Sequence, residues 1–180
     1  MTIDQLHIII DGCKKNNRES QEKLYKYFYA DMVKVCQRYI SGDDQKIVSV
    51  LNDAYLKMFK NIDKYNEELG TFSAWFKTIV INTVLTSLTE RKRQIDYIYT
   101  EELPEHSEPH NIYSKFDLQE LLEYIKVLPN VTRTVFNMSV LDGFSHQEIS
   151  QLLNITESTS RWHLSDARKK LKDKLKLQEY

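Results

Sequence analysis

The stretch from Glu157 to Lys172 concentrates residue types suited to nucleic acid: Ser158, Thr159, Arg161, Trp162, Ser165, Arg168 and Lys169. An arginine forks onto the acceptor edge of guanine, and an indole packs on a thymine methyl or a sugar edge. The basic run Arg168, Lys169, Lys170 and Lys172 suits phosphates. Trp162 is equally compatible with a half-buried packing role. Bond-making chemistry has no comparable footing. The sequence lacks a Gly-rich phosphate loop, an activated serine and a Cys–His pair at local spacing, so no enzyme is expected. His106 and His110 flank Glu108, but Pro109 prevents a clean helical i,i+4 pair, so neither a metal nor another cofactor is expected.

Reader residues need a rigid support, and the preceding segment supplies one. After Pro129, "NVTRTVFNMSVLDG" predicts a helix closed by Gly143. Ser145 and Glu148 form an S-x-x-E capping box ahead of Ile149, Leu152 and Leu153. Asn154 then stands where a short turn needs a left-handed residue. A second helix begins near Thr156, with Ser160, Leu164, Ala167 and Leu171 as its inner stripe. Ser160 is the unusual member, since an apolar residue is expected there. Small Ser150 allows the two helices to approach closely. The pattern is a helix-turn-helix, which sets the start of its second helix in the major groove. Of the remaining histidines His7, His146 and His163, each isolated in sequence, the last reads equally as a packing residue or a phosphate contact.

The chain around this unit is helical in composition, with 41% apolar residues, 4 Gly and 3 Pro among 180 residues. Cys13 and Cys36 give no disulfide framework and no second pair for a metal, which fits a reducing, cytoplasmic setting. The apolar start "LHIII" is too short for a membrane span and lacks a basic leader, so no membrane insertion is expected. Leu6, Ile9, Ile10 and Cys13 predict a short amphipathic helix instead. The formal net charge of −1 hides a partition. Residues 1–93 carry 15 Lys and Arg against 12 Asp and Glu, residues 94–117 carry 1 against 6, and residues 118–180 carry 9 against 8. The acidic middle segment also holds two of the three prolines and reads as a linker between two domains, 1–93 and 118–180.

Ahead of the linker three main helices are expected. One buries Leu24, Phe28, Met32, Val35 and Tyr39, and a second buries Ile47, Leu51, Ala54, Tyr55, Met58 and Ile62 behind an N-cap at Asp43 or Asp44. A turn at "NEELG" leads to a third, ending at Arg91, Lys92 and Arg93. With about four helices after the linker and no strand alternation, the fold class is all-α.

Both halves resemble one family. "LNDAYLKMFKNIDKYNEELGTFSAWFKTIVINTVLTSL" resembles region 2 of the extracytoplasmic-function (ECF) class of bacterial sigma factors, in the sigma-70 family. "LPNVTRTVFNMSVLDGFSHQEISQLLNITESTSRWHLSDARKKL" resembles region 4, from the opening "LP" to the closing "ARKKL". The likeness covers roughly residues 20–93 and 118–175. It implies a promoter-specificity factor that loads core RNA polymerase onto promoter DNA and initiates transcription, with chemistry left to the polymerase. Region 4 would read the minus-thirty-five element. In region 2, the family's acidic pair, which docks on the polymerase clamp, falls on Asn52 and Asp53, with Lys57 nearby. A solvated helix face is the plainer reading of the same residues. The family's acidic residues just upstream are replaced here by Ile47 to Ser49.

The resemblance also implies that Tyr65 to Trp75 captures a flipped base of the minus-ten element. Tyr65, Gly70, Thr71, Phe72, Ser73 and Asn82 would line the site, with Lys77, Arg91 and Arg93 on the strand backbone. At helical spacing Phe72, Trp75 and Phe76 are more often plain core, and Trp75 is expected to be mostly core. Ile81 occupies a position that is often basic in the family. The acidic linker, with Glu101, Glu102, Glu105, Glu108 and Asp117, would thread a basic polymerase channel, a role compatible with a solubilising tether. The resemblance admits an anti-sigma factor as a further partner, though no residue identifies one. The rival reading is a one-component helix-turn-helix regulator bound to palindromic DNA, which would need a dimerisation or sensor surface in residues 1–93.

Overall fold

The computed structural model describes residues 2–40, 42–96 and 123–176, with side chains through Leu88 in the second stretch and Lys174 in the third. No strand occurs among these described residues. Most of the acidic segment, including Glu101, Glu102, Glu105, His106, Glu108, His110 and Asp117, lies outside them, as do the side chains of Arg91 and Arg93. The chain divides into two compact units, Met1–Leu88 and Thr89–Tyr180.

The first unit is built on α1 (Ile3–Lys14), α2 (Arg18–Tyr39), α3 (Asp44–Asn61) and the part of α4 (Phe72–Asp96) up to Leu88. Two 3-10 turns, Ile62–Lys64 and Glu67–Leu69, connect α3 to α4. Thr2 and Gln5 form a reciprocal capping box that starts α1. The helix buries Ile10 and Cys13 and half-buries Leu6 and Ile9. It meets α2 where only glycine fits, because a Cβ on Gly12 would lie 2.1 Å from Ser20 Oγ. Asn16, at a φ of 57°, turns the chain, and Asn17 caps α2 by accepting from the Ser20 N–H at 2.8 Å. Every expected core residue of α2 and α3 is buried, from Leu24 to Ile62. Asp43 is the α3 cap, accepting from the Lys46 N–H at 2.9 Å. α4 contributes Phe72, Phe76, Val80, Ile81, Val84 and Leu85 to the same core, and continues past Arg93 to Asp96.

The second unit holds a helical segment at 123–126, then α5 (Asn130–Phe136), α6 (His146–Leu153) and α7 (Glu157–Lys176). α5 widens into a π-helical turn at Asn137–Leu141, where the Asp142 N–H donates to the Asn137 carbonyl at 3.0 Å. Gly143 ends this run at a φ of 78°, letting the Phe144 N–H reach back to the Met138 carbonyl at 2.9 Å. Ile125, Leu128, Val135, Phe136, Met138, Ile149, Leu164, Ala167 and Leu171 form the core.

Candidate nucleic-acid interface

The turn between α6 and α7 follows from three local choices. Ser145 and Glu148 complete their capping box, with the Ser145 N–H donating to Glu148 Oε2 at 2.8 Å and the Glu148 N–H to Ser145 Oγ at 3.2 Å. The Ser145 hydroxyl, donating to the same carboxylate oxygen at 2.7 Å, and then the Ser145 N–H hold the Glu148 carboxyl below the usual carboxylate range. Asn154 ends α6 in the left-handed region, at φ 52° and ψ 48°. Thr156 starts α7 by accepting from the Thr159 N–H at 3.1 Å. Two helices so joined expose one face of the second.

That face carries the expected residues. Ser158, Arg161, Trp162, Ser165, Arg168 and Lys169 are exposed, while Thr159 is half-buried beside the cap. Trp162 stands 62% exposed, so it has no core role in this unit. Its only ring neighbour among the described residues is His163, edge-on at 4.9 Å between centroids. Ser160 is fully buried, and its hydroxyl lies 2.8 Å from His146 Nδ1 on α6. Thr132 Oγ1 on α5 meets His163 Nδ1 at 3.0 Å. Two hydroxyl–imidazole pairs therefore tie α7 to α5 and α6, and His163 points at packing rather than at a phosphate. Buried hydroxyls of this kind need partners, and both have them.

In the first unit, the loop before α4 is a small polar rim over an aromatic base. Gly70 takes a φ of 145°, open to glycine, and its carbonyl accepts from the Tyr65 hydroxyl at 3.2 Å. Thr71 caps α4 by accepting from the Ala74 N–H at 3.3 Å. Phe72 falls to the core reading of the two that the sequence offers. It is 1% exposed and packs among Phe28, Tyr65 and Trp75, with centroids at 5.5, 5.1 and 5.4 Å. A ring so enclosed has no face left for a base; it supports the loop from beneath. Trp75 is half-buried rather than mostly core, and Tyr65 and Lys77 are half-buried as well. Ser73 is exposed. Asn82 lies on an exposed polar strip with Thr71, Thr78 and Thr86, spaced at helical intervals along α4. Ile81 is fully buried, so a basic residue could not stand there without leaving the core. Across the loop, His7 Nε2 meets Glu67 Oε2 at 3.0 Å and links α1 to it.

Asn52, Asp53 and Lys57 are exposed on α3, opposite its buried stripe. Lys57 Nζ donates to Thr83 Oγ1 on α4 at 3.3 Å, and the Tyr25 hydroxyl reaches Asn52 Oδ1 at 3.5 Å. Two apolar residues absent from the sequence expectation share the face: Val48, 44% exposed, and Leu56, 59% exposed. Both are apolar side chains left in solvent on the helix that exposes the polar pair. Their signal in the sequence was their position outside the buried stripe of α3. Of Ile47 to Ser49, only Val48 and Ser49 face solvent, because Ile47 is core.

Comparison with known proteins follows the same division. Residues 24–94 match the family model described as Sigma-70 region 2, and residues 118–171 match that described as Sigma-70, region 4. The chain is similar to the ECF RNA polymerase sigma-E factor of Escherichia coli strain K12, at 22% identity over 180 aligned positions and 93% of each chain. The corresponding factor of Haemophilus influenzae is 20% identical over 179 positions, again with 93% of each chain covered. Among solved structures it resembles the sigma factor RpoE of Bartonella quintana, determined in complex with the anti-sigma factor NepR. That match has a TM-score of 0.55 and 20% identity, over 86% of this chain and 96% of the other. CnrH, in complex with the cytosolic domain of CnrY, matches with a TM-score of 0.50 and 15% identity over 94% and 96% of the two chains. At these identities the two structures speak for the fold.

Proposed function

The chain belongs to the sigma-70 family, as an RNA polymerase sigma factor of the ECF class that initiates transcription, and from that premise we propose how its residues divide the work. It binds core RNA polymerase and promoter DNA. α3 docks on the polymerase through Asp53 and Asn52, with Val48 and Leu56 as apolar anchors and Lys57 at the rim. The loop at 65–73, with Asn82, reads an extruded minus-ten base, and Lys77, Arg91 and Arg93 hold the strand. α7 reads the minus-thirty-five element through Ser158, Thr159, Arg161, Trp162 and Ser165, with Arg168 and Lys169 on phosphates. The chain makes no bond itself, and its place of work is the cytoplasm, where polymerase and chromosome meet. An anti-sigma factor is proposed as a further partner, as in the two solved complexes it resembles.

One observation carries this reading. Trp162 and Arg161 stand in solvent on the first turns of α7, while the residues around them are fixed from behind by Ser160–His146 and Thr132–His163. An indole exposed on the second helix of a helix-turn-helix supports the reading of that face as the one that meets DNA. The decisive experiment is run-off transcription with core polymerase, this protein and fragments of its own genome. Start sites that vanish without the protein establish the promoters. Tight binding to an isolated palindrome, with no binding to core, would instead favour a one-component regulator.

A further inference from the structure

An acidic residue opens the reader helix. Glu157 is the first residue of α7, and its side chain is 43% exposed. At 3.6 residues per turn, Glu157, Arg161 and Arg168 fall within roughly 40° of arc. A carboxylate there faces the same phosphate-rich ligand as the arginines and is repelled by it. Thr156 already serves the cap, while a carboxylate in the first turn also suits the positive end of the helix dipole. The other ion pair on this helix, Asp166 with Lys170 at 2.8 Å, lies outside that arc. What Glu157 does hold is Arg161: its Oε2 accepts from Nη2 at 2.8 Å.

We propose that Glu157 is a positioning residue that sets base specificity at the minus-thirty-five element by aiming Arg161. The proposal rests on the reading of α7 as the DNA-contacting helix. A guanidinium carries five N–H donors in a rigid fork, and Glu157 occupies one of them. The rest are left pointing along a fixed direction, matched to the two acceptors on a guanine edge. The same carboxylate works against loose association, since it repels any duplex on which the fork finds no acceptor to offset that repulsion. Glu157 thereby sharpens the difference between the right site and all others.

The test uses holoenzyme assembled from core polymerase and the full chain, on mapped promoters randomised across the minus-thirty-five element. Glu157→Ala should lower the preference for guanine at the Arg161 position by about 5- to 10-fold, at the lower end of the range of one bidentate contact. It should also raise binding to unrelated DNA. Glu157→Gln keeps an acceptor for Arg161 and should retain most of the preference while sharing the gain in non-specific binding. A purely structural i,i+4 pair would change thermal stability and leave base preference alone. If Arg161→Ala erases the preference and Glu157→Ala leaves it intact, the proposal is overturned while the reader helix stands. If Arg161→Ala also leaves it intact, the assignment of α7 falls with it.

Discussion

His146 Nδ1 and Ser160 Oγ lie 2.8 Å apart, bridging the two helices of the helix-turn-helix, and the serine has no exposed surface. A polar residue in the inner stripe of a reader helix is tolerable only because the first residue of α6 answers it. His146→Ala would strand the hydroxyl in the core and should cost about 1–3 kcal/mol. His146→Leu combined with Ser160→Val removes both partners and should come close to wild type. Urea unfolding followed by circular dichroism separates the two. A His146→Ala loss under about 0.5 kcal/mol, the ordinary range for surface changes, would mean the pair contributes nothing.

Gly12 sets the approach of α1 to α2. A methyl there would sit 2.1 Å from Ser20 Oγ and 2.8 Å from Ser20 Cβ, so one of the helices must shift. Gly12→Ala should therefore destabilise the first unit by about 1–3 kcal/mol, the usual cost of overpacking. Adding Ser20→Gly removes both clashing atoms and should recover part of the loss. Failure of that second change to help, in thermal melts of the double variant, would place the strain elsewhere.

Cys13 and Cys36 are buried, and burial pushes both thiols up to about 11. An unfolded thiol titrates near about 8.5. The native state thus holds the proton more tightly, so this contribution to stability is complete below about pH 8.5. It is lost as pH rises from there towards 11. Stability should fall through that window, and Cys13→Ala with Cys36→Ala should flatten the fall. Iodoacetamide at about pH 8 should modify neither thiol in the native chain and both in urea, read by mass spectrometry. Rapid native labelling would contradict the burial argument.

The helices were legible because their burial is periodic and local. Leu24, Phe28, Met32, Val35 and Tyr39 announce one buried face, and all five are buried. The turn was legible for a similar reason, since a capping box and a left-handed Asn act over a few residues. Polar partnerships across the fold were not. His7, His146 and His163 stand alone in sequence, yet each finds its partner, in Glu67, Ser160 and Thr132 respectively, on another part of the structure. Phe72 shows the limit of residue type. Within "TFSAWF" an aromatic suits a base or, more often at this spacing, a core, and packing against Phe28 on α2 decides. The π-helical turn at Asn137–Leu141 leaves no mark either, because one extra residue per turn does not disturb so short an apolar pattern.

The two units should fail separately when their proposed surfaces are altered. Asp53 is exposed on α3 between Val48 and Leu56, so Asp53→Lys reverses a charge without touching the core. Core polymerase binding should weaken about tenfold, equivalent to about 1.4 kcal/mol, while DNA selectivity in whatever holoenzyme still forms is unchanged. Trp162→Ala removes an indole that is largely exposed and has only His163 as a ring neighbour among the described residues, so melting should stay within about 0.5 kcal/mol of wild type. Selectivity at the minus-thirty-five element should drop about 5-fold or more, on the scale of one lost base contact, with core affinity intact. Arg161→Ala should behave in the same way. Equilibrium binding to fluorescently labelled core, paired with transcription from promoters mutated at one element at a time, reads both quantities. Loss of core binding in Trp162→Ala would show that α7 serves the polymerase rather than the DNA, and unchanged binding in Asp53→Lys would remove that carboxylate from the docking face.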